Sequence, residues 1–160
     1  MNKLVILGAG GYGSVVKDIA EQLGYEAIVV LDDNIPEWPL ASFTDFLGEN
    51  TEFIPAFGNN EFRMEWIRKI EKAEGQLATL IHPTAYVSPK ASVAPGTVVL
   101  PHAIINTDVL VERGCILNLG VMVDHGCVVE EGVHICLGAM IKAENRVKAL
   151  SKIEAGEVIE

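Results

Sequence analysis

Ile81-His82-Pro83-Thr84-Ala85-Tyr86-Val87-Ser88-Pro89-Lys90-Ala91-Ser92-Val93 opens a pattern that runs to the end of the chain. Counted in sixes, Ile81, Val87, Val93 and Val99 are followed by Ile105, Val111, Leu117, Val123, Val129, Ile135, Ile141, Val147, Ile153 and Ile159, and all fourteen are Ile, Val or Leu. Four places further on in each hexad the residue is small: Ala85, Ala91, Thr97, Ala103, Val109, Cys115, Val121, Cys127, Val133, Ala139, Asn145 and Ser151 precede the large exception, Glu157. The place before the small residue is glycine in seven of thirteen hexads, at Gly96, Gly114, Gly120, Gly126, Gly132, Gly138 and Gly156. Neither the helical period nor strand alternation generates these three residue classes. A hexapeptide repeat is the signature of a parallel β-helix.

Each hexad is a short strand and a corner. A branched side chain fills the pleated inner surface. The small residue leaves room at the corner, and glycine supplies positive φ there without a Cβ clash. Three hexads close one triangular coil, so Ile81, Val99, Leu117, Ile135 and Ile153 stack on a first wall. Val87, Ile105, Val123, Ile141 and Ile159 stack on a second, and Val93, Val111, Val129 and Val147 on a third. A β-sandwich would need its alternation to break and reset at every strand.

Length and composition bound the rest. At 160 residues and 49% hydrophobic, the chain suits one ordinary domain or two small ones with packed cores. Its apolar runs are too short to cross a bilayer. The start, Met1-Asn2-Lys3, leads straight into a strand and a glycine loop rather than a leader. The expectation is a cytoplasmic protein without membrane contact. Three cysteines without C-x-x-C spacing argue against disulfides. Cys115 and Cys127 take inner corner positions, whereas Cys136, beside inward Ile135, is expected to face outward. A net charge of −10 excludes a nucleic-acid partner, which needs a basic footprint. Residues 142–152 nonetheless hold Lys142, Arg146, Lys148 and Lys152 against Glu144, a local +3. That stretch reads as a solvated edge, and it leaves a phosphate-bearing small molecule open.

Residues 1–80 have a different texture. Lys3–Leu7 is a short apolar strand, followed by Gly8-Ala9-Gly10-Gly11-Tyr12-Gly13. Val15, Val16, Ile19 and Leu23 predict a helix over 14–23, stopped at Gly24. Ala27–Leu31 is a second strand ending at Asp32-Asp33. Gly8, Gly10 and Gly13 fit G-x-G-x-x-G, which allows a tight turn and close approach of phosphate to a helix N-terminus. The same glycines could serve the turn alone. The acidic pair suits ribose hydroxyls. A short helical piece is predicted over 42–47 and a third strand over 53–57. An amphipathic helix is predicted over 61–74, with Phe62, Trp66, Ile67 and Ile70 on its apolar side. A fourth strand over 77–81 would feed directly into the repeat. This is a truncated Rossmann-like unit, too small for a whole dinucleotide. A mononucleotide or sugar nucleotide fits better.

A small βαβ unit joined to a hexapeptide β-helix resembles the sialic acid O-acetyltransferase and UDP-amino-sugar N-acetyltransferase family, over nearly the whole chain. The resemblance rests on residues 4–13, on Asp33-Asn34, on Phe57-Gly58-Asn59, on Ile81-His82-Pro83 and on residues 118–139. Val123-Asp124-His125-Gly126-Cys127, His134 and Gly138-Ala139 are its most specific part. It implies an α/β N-terminal Rossmann-like domain, 1–80, followed by a left-handed parallel β-helix, 81–160. It implies an acetyl-CoA-dependent acetyltransferase acting on a nucleotide-linked amino sugar or a sialic acid, without a metal. The family forms homotrimers that bind acetyl-CoA in clefts between subunits. By match, His125 is expected as general base, taking the proton from an amine or hydroxyl as it attacks the thioester carbonyl. Asn118 would orient substrate or the oxyanion. His134 would lie near the thioester end of acetyl-CoA, and Ala155 along the CoA arm. Gly11, Tyr12, Gly13, Asp33, Asn34 and Gly58 match the sugar-nucleotide region.

Several positions depart from that family. Gly126 stands where an acid often follows the base, and Asp124, on the other side, is not expected to reach. Tyr12 replaces a common histidine. Lys142, Lys148 and Glu154 replace glycines that let the CoA arm lie close to the backbone. The sequence also ends roughly two or three coils earlier than such a family leads one to expect, which would omit much of the pantetheine and adenine cleft. A second reading is therefore a non-catalytic trimeric sugar-nucleotide-binding relative that has lost part of the CoA site. A third, a zinc hydratase resembling γ-class carbonic anhydrases, needs histidines shared across a subunit boundary. His102, His125 and His134 are separated by 23 and 9 residues and lack a close pair. Val98, Leu100, Ile104 and Leu110 are expected outer apolar positions that favour trimer packing.

Overall fold

The computed structural model describes residues 2–160. The chain divides into two units, the first ending at Ala78 and the second running Thr79–Glu160.

In the first unit, β1 (Lys3–Leu7), β2 (Ala27–Leu31), β3 (Thr51–Pro55) and β4 (Gln76–Leu77) form a parallel sheet in the order β2-β1-β3-β4. Lys3 lies opposite both Ala27 and Thr51, so β1 is central. Its Leu4, Val5, Ile6 and Leu7 are buried, as a parallel strand covered on both faces requires. Helix α1 (Gly11–Gln22) packs on β1 and β2, and α2 (Asn60–Lys72) on β3 and β4. A 3-10 helix, Leu40–Phe46, presents Phe43 edge-on to Phe53 and Trp66, with ring centroids 6.1 and 5.7 Å apart.

Three details differ from expectation. Helix α1 starts at Gly11 rather than at residue 14, so the glycine motif supplies the helix's first turn. Arg63, absent from the apolar side expected of α2, is 1% exposed. It is tolerated there because its guanidinium donates to the Phe57 carbonyl and to Asn60 Oδ1, both at 2.9 Å, which offsets part of the cost of burying a charge. The fourth strand is not continuous from 77 to 81. Ala78 N donates to Phe53 O at 2.9 Å, the last rung of the first sheet, and Leu80 N to Thr97 O at 3.0 Å, the first rung of the coil. The hydrogen-bond ladder changes partners across Thr79, which splits the strand.

The second unit is a left-handed parallel β-helix. Leu80–Ile81, Val98–Val99, Ile116–Leu117, His134–Ile135 and Lys152–Ile153 form the first wall. Tyr86–Val87, Ile104–Ile105, Met122–Val123, Met140–Ile141 and Val158–Ile159 form the second. Ser92–Val93, Leu110–Val111, Val128–Val129 and Arg146–Val147 form the third. Leu117 lies opposite both Val99 and Ile135, and coil-to-coil bonds such as Ile104 N to Val121 O, 2.7 Å, repeat along the stack. The hexad Ile, Val and Leu side chains fill the interior. Buried polar groups find partners across coils. Thr97 Oγ1 donates to Glu112 O at 3.1 Å, and the Cys115 and Cys127 thiols donate to Glu130 O and Lys142 O, both at 3.1 Å. The corner residue keeps positive φ where it is not glycine, at His102, Asp108, Glu144 and Leu150, with φ of 58 to 62°. The coil geometry therefore dictates the corner, and glycine relieves its strain.

Cys136 is buried rather than outward, at 7% exposure, and burial raises its thiol pKa. Val98 and Leu100 are likewise buried, at 1% and 2%, so neither offers surface to a partner. Ile104 and Leu110 are exposed as expected, and Ile104 belongs to an exposed apolar ladder on the second wall with Tyr86, Met122, Met140 and Val158, while Leu119 and Leu137 are exposed at the corner before it. The basic stretch is matched by acids from other positions: Arg146 pairs with Glu130 at 2.6 Å, Lys152 with Glu154 at 3.7 Å, and Lys142 with Glu160. It behaves as a solvated edge. Among the described residues, no helix is long and apolar enough to cross a membrane.

Candidate functional site

Each unit carries a feature of its own. In the first, a cleft of about 470 Å³ opens at the carboxyl ends of β1 and β3, lined by Gly8, Gly10, Gly11, Tyr12, Asp32, Ala56, Phe57, Gly58, Asn59 and Phe62. The chain order reverses there, since β2 and β3 flank β1 on opposite sides, and ligands of open α/β sheets bind at such a reversal.

The glycines divide by role. A Cβ on Gly13 would lie 2.1 Å from Gly8 O, so Gly13 lets α1 pack onto the turn and does not line the cleft. A Cβ on Gly10 or Gly11 would meet nothing within 4 Å among the described residues, and that space remains open to a ligand. Helix α1 has no side-chain cap among the described residues and no acid in its first turn, whereas α2 is capped by Asn59 and carries Glu61 there. The uncapped N–H groups of α1 are the ones available to an anion.

The acidic pair is spent on the backbone. Asp32 Oδ2 accepts from Ala9 N at 2.7 Å, and Oδ1 accepts from Asn34 N and Nδ2 at 2.8 and 2.9 Å. The Ala9 and Asn34 N–H groups hold its carboxyl below the usual range. Asp33 Oδ1 accepts from Leu40 N at 2.9 Å. Of the expected substrate residues, the cleft gathers Gly11, Tyr12 and Gly58; Gly13, Asp33 and Asn34 do not line it. The tilted Phe57–Phe62 pair, with centroids 4.6 Å apart, adds an apolar wall that sequence reasoning missed. Phe62 had been counted into the core, yet it is 38% exposed. Its place just beyond the Asn59 cap was the available signal. The Tyr12 hydroxyl is buried and has no hydrogen-bond partner among the described residues. Its pKa is raised by that burial, partly opposed by Arg63.

In the β-helix, Asp124 and His125 occupy the corner between the second and third walls. His125 Nδ1 lies 3.1 Å from Asp124 Oδ1, so Asp124 does reach the ring, against expectation. The reason is local: the same Oδ1 accepts from His125 N at 2.7 Å, which folds the carboxylate back over its own corner. Asn106 Nδ2, one coil below, also donates to it at 3.0 Å. Those donors, the His125 N–H first, hold the Asp124 carboxyl below the usual range, so it is ionised near neutrality. An ionised acceptor places the imidazole proton on Nδ1 and leaves the Nε2 lone pair free. The His125 side chain is 53% exposed.

Asn118 lies at the other edge of the second wall, where the first wall ends, and His134 stands beside it on the first wall. Asn118 Oδ1 accepts from Leu119 N at 2.8 Å, which turns its amide nitrogen toward His134 Nε2, 3.2 Å away. Ala155 is exposed at the same edge, one coil above Leu137. Within one chain, then, Asn118, His134 and Ala155 lie on the first-wall side of the second wall, while His125 occupies the opposite edge. A groove of about 310 Å³ on the wall between is lined by Ile104, Met122 and Met140 on its apolar side and by Asn106, Asp124 and Lys142 on its polar side. Among the described residues, no group of three or more His, Cys, Asp or Glu side chains is arranged to hold a metal ion.

The PglD N-terminal domain family matches residues 3–70. The UDP-N-acetylbacillosamine N-acetyltransferase of Bacillus subtilis (strain 168) is 31% identical over 110 residues, covering 61% of this chain and 51% of that protein. The chain thus spans about half the length of that curated relative. The acetyltransferase domain of PglB from Neisseria gonorrhoeae FA1090 is similar with a TM-score of 0.92 and 33% identity, over 99% of this chain and 82% of that one. The same domain in complex with acetyl coenzyme A gives a TM-score of 0.91 and 34% identity over the same shares. PerB from Caulobacter crescentus, in complex with CoA and GDP-perosamine, gives 0.82 and 25% identity over 100% of this chain and 89% of that one.

Proposed function

We propose that this chain, which belongs to the hexapeptide-repeat acyltransferase family with an N-terminal PglD-type domain, transfers the acetyl group of acetyl-CoA to the amine of a nucleotide-linked amino sugar. One observation carries the reading: an exposed imidazole, anchored through Nδ1 on an ionised Asp124, in a chain that matches an acetyltransferase domain over 99% of its length. An amine acceptor fits the named N-acetyltransferases better than a sialic acid hydroxyl does. A UDP carrier fits the Bacillus subtilis relative, 31% identical, which is more similar in sequence than the GDP-perosamine-bound PerB at 25%.

The β1–β3 cleft would take the nucleotide, its diphosphate against the uncapped N–H groups of α1 at Gly11 and Tyr12 and its base against Phe57 and Phe62. His125 Nε2 would accept the proton as the amine nitrogen forms its bond to the thioester carbonyl carbon. The tetrahedral oxyanion then collapses, the C–S bond breaks, and the CoA thiolate leaves and takes up a proton. Asn118 and His134 would flank the acetyl-CoA thioester, with Ala155 along its arm. Because His125 lies at the opposite edge of the second wall from these residues, the full site needs His125 of one copy beside Asn118 and His134 of the next. A homotrimer supplies that arrangement at each of its repeated seams. A cytoplasmic setting would give access to both acetyl-CoA and nucleotide sugars.

The test is incubation with acetyl-CoA and a panel of UDP- and GDP-linked sugars, read by release of free thiol. Thiol release with an amino sugar nucleotide, and none with its hydroxyl counterpart, is the expected result. No release with any acceptor, together with thermal stabilisation by a UDP-sugar but not by CoA, would instead establish a binding protein without catalysis.

A further inference from the structure

We propose that Asp124, held from the coil below by Asn106, is the positioning carboxylate of His125. This rests on reading His125 as the base. The corner itself does not need a carboxylate. At Asn106 and Asn118 an amide oxygen accepts the next residue's N–H at 2.8 Å, the same bond that Asp124 makes at 2.7 Å. What distinguishes position 124 is the imidazole Nδ1 at 3.1 Å and the Asn106 amide at 3.0 Å. Asn106 has little choice of orientation, because its own Oδ1 accepts from Thr107 N and its Nδ2 is therefore turned to Asp124. Three donors converge on one oxygen and fix it.

The consequence is control of the ring. A carboxylate accepting from Nδ1–H sets the tautomer, aims Nε2 outward, and stabilises the imidazolium that forms when the proton arrives. The position on the other side of the base carries no acid: it is Gly126, with φ of +68°. The remaining charged groups at this corner are Lys142 and Glu144 on the coil above and Asp108 on the coil below, and Lys142 is paired with Glu160.

Asp124→Asn retains an oxygen for the corner bond and removes the charge, so it separates positioning from folding. The experiment measures the melting temperature, kcat and KM, and the tautomer of the neutral His125 ring by 15N NMR, in wild type, Asp124→Asn and Asn106→Ala. Expected are melting temperatures near wild type for Asp124→Asn, a kcat lowered about ten- to hundredfold, KM values within about twofold, and a His125 ring that loses its preference for the Nδ1–H tautomer. Asn106→Ala should move both readouts in the same directions by less. An unchanged kcat and His125 tautomer in Asp124→Asn would overturn the proposal. So would a loss of activity that accompanies a lowered melting temperature while the tautomer stays fixed. His125→Ala with normal turnover would sink the reading of the base, while the tautomer in Asp124→Asn still reports on the Asp124 contact.

Discussion

As the proposed base, His125 would act through one exposed nitrogen, so its replacement should have a narrow effect. His125→Ala should lower kcat by about 10²- to 10⁴-fold and leave the melting temperature unchanged, because no core contact is lost; a calorimetric scan beside the thiol assay checks both. Asp32 acts at the other unit's cleft by tying Ala9 to the end of β2. Its folded pKa lies below the ordinary 3.8. The stability it contributes is therefore fully present above that ordinary value and is lost as pH falls through the lowered one. Asp32→Asn should flatten this acid-side loss, measured as urea midpoints across pH 2–5, and weaken binding of a UDP-sugar by loosening the glycine loop. The sequence indicated that an acid belonged at the end of β2, but adjacent Asp32 and Asp33 are indistinguishable until their rotamers are known. The same blindness hid the Asp124–His125 contact. The eighteen-residue coil period brings Asn106 beneath Asp124, but nothing in the period says which way the amide points.

A coil is the smallest repeating element, and its two requirements can be tested separately. Leu117 is fully buried between Val99 and Ile135, so Leu117→Ala should cost roughly 2–5 kcal/mol through the cavity it leaves, read from denaturant unfolding. Gly138 has φ of +62° with open space where a Cβ would go, so Gly138→Ala should cost only backbone strain, about 1–2 kcal/mol. The fourteen inward positions were legible because the repeat declares both the wall and the face of each residue. The break between β4 and the first coil was not, because Leu77 to Ile81 reads as one apolar stretch and only the change of ladder at Thr79 divides it. The burial of Arg63 was not legible for a related reason: helical spacing marks a face, and it cannot announce that a charge is paired inside.

For the whole molecule, the second wall is the decisive surface. Its ladder of Ile104, Met122 and Met140 is exposed and lies between the two edges that carry His125 and the Asn118–His134 pair. Apolar surface of this kind marks association. Light scattering should report a trimer, and Met122→Glu should shift it toward monomer and remove activity together. The position of that ladder was only half legible from sequence. Outward hexad places are visible in the pattern, yet which of them end buried, as Val98 and Leu100 do, is not. The most direct measurement mixes two inactive variants, His125→Ala and the double substitution Asn118→Ala/His134→Ala, after dissociation and reassembly. A site shared between copies restores a substantial fraction of wild-type thiol release, because some seams then pair an intact His125 with an intact Asn118 and His134. Mixed assemblies that form normally and stay as inactive as either parent would contradict it.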